Sequence, residues 1–204
     1  MEPIIQVPMS AAPSPPKLHP AEWNFRFRSG RLCLDFIATV GDRDHRPFDR
    51  WRSTQDLARW CAQARLVPEC GTVSESEIRL ARQLREALFR LVSAALAGTR
   101  ADPGDLALLN STARMPALAP QLREIGLPHG WISQSPYDGV LATIARDAID
   151  LLSGTAFKRV RKCADAHCSI LFFDTSRPGN RRWCSMDGCG NKVKKARYRK
   201  RQKS

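Results

Sequence analysis

The chain has 204 residues of which 43% are hydrophobic, enough for one ordinary core with roughly 40 to 50 residues left over for a small appended module. Its net charge of +13 is lopsided, since residues 158–204 hold 15 Lys and Arg against 3 Asp while residues 1–157 carry only +1; this is either a solubilising tail or an end that binds a polyanion. Seven cysteines, four of them in the last quarter, argue against a secreted disulfide framework, and no apolar run approaches the ~18 residues of a membrane-spanning helix.

Residues 1–20 hold six of the fourteen prolines and no sustained periodicity, which predicts a disordered or loosely docked segment. A basic start followed by an apolar run, as in a signal peptide, is missing there, so a cytoplasmic protein is expected. From Trp23 the composition becomes globular. In RLCLDFIATVGDR, Leu34, Ile37 and Ala38 share a helical face, although Leu32, Leu34 and Phe36 would also suit a strand.

Ser53 and Asp56 then form a cap ahead of Leu57, Trp60, Cys61 and Ala64 at helical spacing. Ser74 or Ser76 starts a longer helix whose stripe runs from Ile78 through Leu84, Leu88 and Leu91 and ends before Gly98. A third helix begins at Asp102 and Pro103, with Leu106 and Leu109 directed inward. Residues 121–125 and 130–133 suit a small hairpin. Ser135 and Pro136 open a last body helix, lined by Leu141, Ile144, Ala148 and Leu151, that stops at Gly154.

The chemistry concentrates in the basic quarter. Cys163 and Cys168 are followed, after fifteen intervening residues, by Cys184 and Cys189, each pair enclosing four residues. Zinc needs about four soft donors in a tetrahedron, and two short loops supply two thiolates each without a large core. Four thiolates leave no vacancy for a catalytic water, so one structural Zn2+ is expected. His167 is a fifth donor beside Cys168, but neighbouring residues rarely point at one ion. Cys33, Cys61 and Cys70 lack paired spacing and read as core or surface thiols.

Residues 159–161 and 170–173 have strand composition, and 190–203 contain good helix formers without proline. The expected module is a knuckle on a hairpin followed by a helix, an order similar to treble-clef zinc modules. On that helix Lys192, Lys195 and Arg199 share one face, Lys194, Arg197 and Arg201 the next, with Lys200 beside them. Arg181 and Arg182 stand ahead of the second cysteine pair. Phosphates are the natural partners of such a surface. Trp183, Tyr198, Asn180 and Asn191 add groups able to stack on or hydrogen-bond to bases, though Trp183 equally suits a cover for the metal.

The stretch WCSMDGCGNK, with the first cysteine pair upstream and RYRKR downstream, resembles the CGNR zinc finger of bacterial proteins. Phe173 and Asp174, residues 182–186, and Cys189, Gly190 and Asn191 match that pattern, whereas Lys192 replaces the final arginine of the motif and loses its bidentate fork. FRSGRLCLDFIATVGDR and GVLATIARDAIDLLSG are similar to the ABATE domain that accompanies such fingers, so the resemblance covers about residues 23–201. It implies a bacterial transcription regulator with a DNA-binding finger.

The resulting expectation is a mainly α chain, with a helical N-terminal domain carrying a small β-hairpin over 21–155 and a treble-clef-like zinc module over 156–204. DNA is the expected partner, with RNA as the alternative. The helical domain would sense a small-molecule effector or mediate homodimerisation. Asp35, Arg43 and His45, together with Asp42 and Asp44, form the one polar cluster suited to lining a ligand pocket or, in a third reading, an enzyme site; a solvated turn is the simpler reading of GDRDHRP. No phosphate loop or nucleophile motif accompanies it, so no catalysis is expected.

Overall fold

A computed structural model describes residues 18–67 and 72–202, apart from the side chains of Arg197 and Lys200. Of the segment 1–20 expected to be disordered, residues 1–17 lie outside the described residues, as does Cys70. His19 caps a 3-10 turn, Pro20–Trp23, by accepting from the Ala21 amide, so order begins slightly ahead of Trp23.

The body is built on α1 (Leu32–Ile37), α2 (Thr54–Gln63), α3 (Glu75–Ala97), α4 (Pro103–Arg114) and α5 (Pro136–Ser153). Helix, not strand, is adopted at Leu32–Ile37, where Leu34, Phe36 and Ile37 are all buried. The Asp56 carboxylate accepts from the Ser53 amide and starts α2. Ser74, not Ser76, caps α3: its hydroxyl accepts from the Glu77 amide while Glu77 accepts from the Ser74 amide. Gly98 ends α3 at φ 65, the left-handed conformation in which a side chain would be strained.

These helices bury one apolar core in which Leu84 and Leu88 of α3 meet Leu141, Ile144 and Leu151 of α5. Phe36, Trp51 and Trp60 pack edge-to-face at its α1–α2 end, with Phe36 5.1 Å and 5.4 Å from the two indoles. Leu109 is inside as expected, but Leu106 is 41% exposed. The reason is the phase of α4. Asp105, Leu109 and Thr112 form its inner face because the Asp105 carboxylate accepts two hydrogen bonds from Arg90 of α3, and Leu106 is turned outward.

Two small antiparallel pairs decorate the body. β1 (Val40–Gly41) pairs with β2 (Phe48–Asp49) around the GDRDHRP turn. β3 (Ala119–Gln121) pairs with β4 (Gly130–Ile132), so the hairpin exists but its first strand lies earlier than residues 121–125. Pairing is displaced because Leu118, just before it, is tied to α5 through its amide and the Thr143 hydroxyl, which leaves Leu122 and Ile125 in the exposed loop.

The last quarter forms β5 (Val160–Lys162), β6 (Leu171–Phe173) and α6 (Asn191–Arg201), with Val160 opposite Phe173 in an antiparallel pair. This hairpin is joined to the body. Val160 and Leu171 belong to the body's core cluster, and the Phe173 amide donates to the Ser29 carbonyl at 2.6 Å. Gly30, at φ 79, lets the chain approach β6 so closely that a Cβ there would lie 3.0 Å from the Phe173 carbonyl oxygen. No described helix is long and apolar enough to cross a membrane.

Candidate metal centre and cationic surface

Each cysteine is placed by local backbone bonds. The Cys163 amide donates to the Ile170 carbonyl, folding the first pair back on β6, and the Cys168 amide donates to the Asp165 carbonyl at 2.9 Å. Ser185 accepts from the Gly188 amide through its hydroxyl, which starts the π-helical turn Met186–Gly190 that carries Cys189 into α6. The Cys184 amide faces the Cys163 sulfur at 3.5 Å.

The four sulfurs converge to within 4.8 Å of one another. Cys168 and Cys184 stand 3.8 Å apart, and Cys184 and Cys189 3.7 Å. Four sulfurs at the usual zinc–thiolate distance of about 2.3 Å define a tetrahedron with edges of about 3.8 Å, so these residues fit one Zn2+. Their acid–base balance points the same way. Hydrogen bonds from Cys168, Cys184 and Cys189 hold the Cys163 thiol far below its ordinary range, whereas the bond to Cys163 is the main cause that pushes Cys189 far above it. A divalent ion allows all four to be held as thiolates.

The knuckle is supported by the residues around it. Phe172 is fully buried against the cysteines and Trp183 covers them. Asp174 is also fully buried. Burial opposes its charge, but its carboxylate accepts from the Ser176 and Arg181 amides, and these bonds hold its pKa below the usual range. Arg181 is directed inward: its guanidinium donates to the Trp183 and Cys184 carbonyls and lies 4.8 Å over the Phe172 ring. Its sequence position beside Arg182 suggested an outer surface, and nothing in a linear reading of RRWC signals this brace. Arg182 itself is exposed and stacks 5.5 Å from the Trp183 ring centre.

His167 stands apart from the four thiols and is exposed, with its ring 5.7 Å from that of His45. Lys192, at the motif's arginine position, places its ammonium 3.7 Å from the buried Asp165 carboxylate. Lys194, Lys195, Arg199 and Arg201 are exposed along α6 and have no carboxylate partner among the described residues. Tyr198 is 63% exposed on the same helix.

Asp35, Arg43 and His45 are not brought together as one pocket. Asp35 accepts from the Arg28 and Ser29 amides, holding the loop that meets β6, and burial raises its pKa to about 6. Arg43 forks onto Glu86 and lies 4.2 Å over the Phe89 ring, while its amide donates to the Ser169 hydroxyl of the knuckle. His45 alone of the three lines a cleft of about 580 Å³ between the β1–β2 turn and the cysteine knuckle. Arg50 lines the same cleft from the body side. Sequence reasoning missed it, because nothing in DRWRS distinguishes the buried Arg50 from the exposed Arg52 two residues on.

Two family models match the chain: ABATE, described as "Putative stress-induced transcription regulator", over residues 30–155, and the CGNR zinc finger over residues 159–202. The chain belongs to the ABATE family. More than half of its length lies in the ABATE match, and the four cysteines of the converged cluster all lie in the CGNR match. No curated protein sequence matches it. The pairing of an ABATE domain with a CGNR finger also accounts for the charge asymmetry, because the near-neutral and strongly basic parts of the chain divide close to the boundary between the two matches.

Proposed function

We propose that this ABATE protein is a zinc-dependent, DNA-binding transcription regulator whose finger offers α6 to duplex DNA and whose ABATE domain receives the input, a small ligand or a second copy of the chain. The observation that carries this reading is the difference between the two sets of cations. Many body arginines, Arg31, Arg43, Arg85 and Arg90 among them, are paired with carboxylates and the unpaired ones, such as Arg26, are scattered, whereas Lys194, Lys195, Arg199 and Arg201 stand free together on one exposed helix. Unpaired, solvated cations keep their charge available for phosphates and release counterions on binding. An α-helix of this length, about 16 Å at 1.5 Å per residue, fits a major groove.

In this reading zinc does no chemistry on a substrate and the chain has no catalytic site. The metal fixes the start of α6 through Cys184 and Cys189, and Arg181 braces the same segment. Lys195→Ala should weaken binding to all duplexes and reduce the slope of log affinity against log salt by about one unit. An unchanged slope removes Lys195 from the contact surface. Titrating structured RNA at the same salt separates the two nucleic acids: tighter binding to RNA than to any duplex would replace the DNA reading with an RNA-binding one.

A further inference from the structure

Arg50 is a buried cation without a carboxylate partner. Only 3% of it is exposed, its Nε donates to the Glu22 and Asn24 carbonyls, and its Nη1 donates to the Ala38 and Thr39 carbonyls. The remaining nitrogen, Nη2, has no partner among the described residues, and the residue lines the cleft between the ABATE domain and the finger. Arg26 lines that cleft too and has no hydrogen bond or ion pair among the described residues. Buried charge is ordinarily paired with opposite charge, but Arg50 is met only by neutral carbonyls and the Phe48 ring, and half-buried Arg26 has no carboxylate partner among the described residues; two such guanidiniums on one concave wall mark a place for an anion.

The acidic residues of the cleft do not fill that role. Glu22 is engaged by Arg46 and by the His19 amide, Asp42 by His45, and Asp165 by the His167 amide and Lys192. The cleft volume of about 580 Å³ suits a small organic molecule. Phe48, on the body side, and Ile170, on the finger side, give its non-polar part a surface.

We infer that this cleft binds a small molecule bearing a carboxylate or phosphate, held by Arg26 and Arg50 and touching both the ABATE domain and the finger. The inference rests on the ABATE domain's proposed role as the input domain, and it supplies the site and ligand class. Zinc-loaded thiolates hold net negative charge at the finger wall, which keeps the oxyanion at the arginine wall. A ligand seated there bridges the β1–β2 turn and the start of α6, so occupancy changes how firmly the finger is held against the body.

The test uses the zinc-loaded full chain and inorganic phosphate, titrated calorimetrically at constant ionic strength. Saturable binding is expected, weakened about tenfold or more by Arg26→Gln and unchanged by Arg199→Gln. Duplex-DNA affinity should respond in the opposite way, falling with Arg199→Gln and holding with Arg26→Gln. Phosphate binding that is absent from the native protein, or equal in Arg26→Gln, overturns the site. A loss of DNA affinity in Arg26→Gln equal to that in Arg199→Gln also overturns it, because the cleft would then hold a backbone phosphate. Saturable phosphate binding by a protein that binds no duplex would leave the site standing and remove the DNA reading instead.

Discussion

Replacing Cys184 with serine is expected to release the metal and unfold the finger while leaving most of the helical circular dichroism of the body. Cys184 is 1% exposed and its sulfur lies within 3.8 Å of those of both Cys168 and Cys189, so its loss removes one corner of the tetrahedron. Little else holds the module. Its own apolar cluster is small, resting on Ile170 and Phe172 with Trp183 over the cysteines, and α6 is a highly charged helix with almost no apolar face. Zinc binding in such modules contributes on the order of 10–16 kcal/mol, which is folding free energy for a segment of this kind. The body keeps a separate core in α1–α5 and should stay folded, although Val160 and Leu171 would no longer seal its edge. Zinc stoichiometry and the far-ultraviolet spectrum check both halves. Retention of one zinc per chain would refute the ligand assignment.

Arg85→Ala is expected to be the most damaging change within the body. Arg85 is 3% exposed; its Nη1 and Nη2 hold the Asp49 carboxylate at 2.8 Å and 2.7 Å, and Nη1 also reaches the Thr39 hydroxyl. Its guanidinium lies 4.7 Å over the Trp51 ring. Truncation leaves the Asp49 carboxylate with only Arg82 and the Trp51 amide, and opens a void against Trp51. Breaking a buried pair in this way costs about 3–5 kcal/mol, and the lower end applies because Asp49 is partly solvated and keeps Arg82 at 3.5 Å. The melting temperature should fall on the order of 10 °C. Asp49 lies in β2 beside Arg50, so the same change should loosen the turn that carries His45. A shift of no more than about 2 °C would show that Arg85 is not a brace.

The elements that were legible in the sequence are those specified by neighbours along the chain. Ser74 with Glu77, Asp102 with Pro103, and the apolar stripe of α5 each signal a helix within a few residues, and the spacing of Cys163, Cys168, Cys184 and Cys189 announces the metal site. What was not legible depends on distant partners. Leu106 faces outward because Arg90 claims Asp105, and β3 begins early because α5 binds the Leu118 amide. Arg181 turns its guanidinium inward over the Phe172 ring, nine residues away, and onto the Trp183 and Cys184 carbonyls. Arg50 and Arg85 look like surface cations until tertiary packing encloses them, and the cleft exists only where the 40–50 turn meets a knuckle more than a hundred residues later. Buried charge is the feature that linear periodicity conveys least.

The proposed zinc-built DNA-reading surface is probed most directly by incubating the zinc-loaded protein with a random pool of duplex DNA at physiological salt and sequencing the duplexes that remain bound. Enrichment of a defined motif is expected, lost when the zinc is removed by a chelator. Failure to retain duplexes, or retention of the pool without enrichment, would refute DNA reading by this chain.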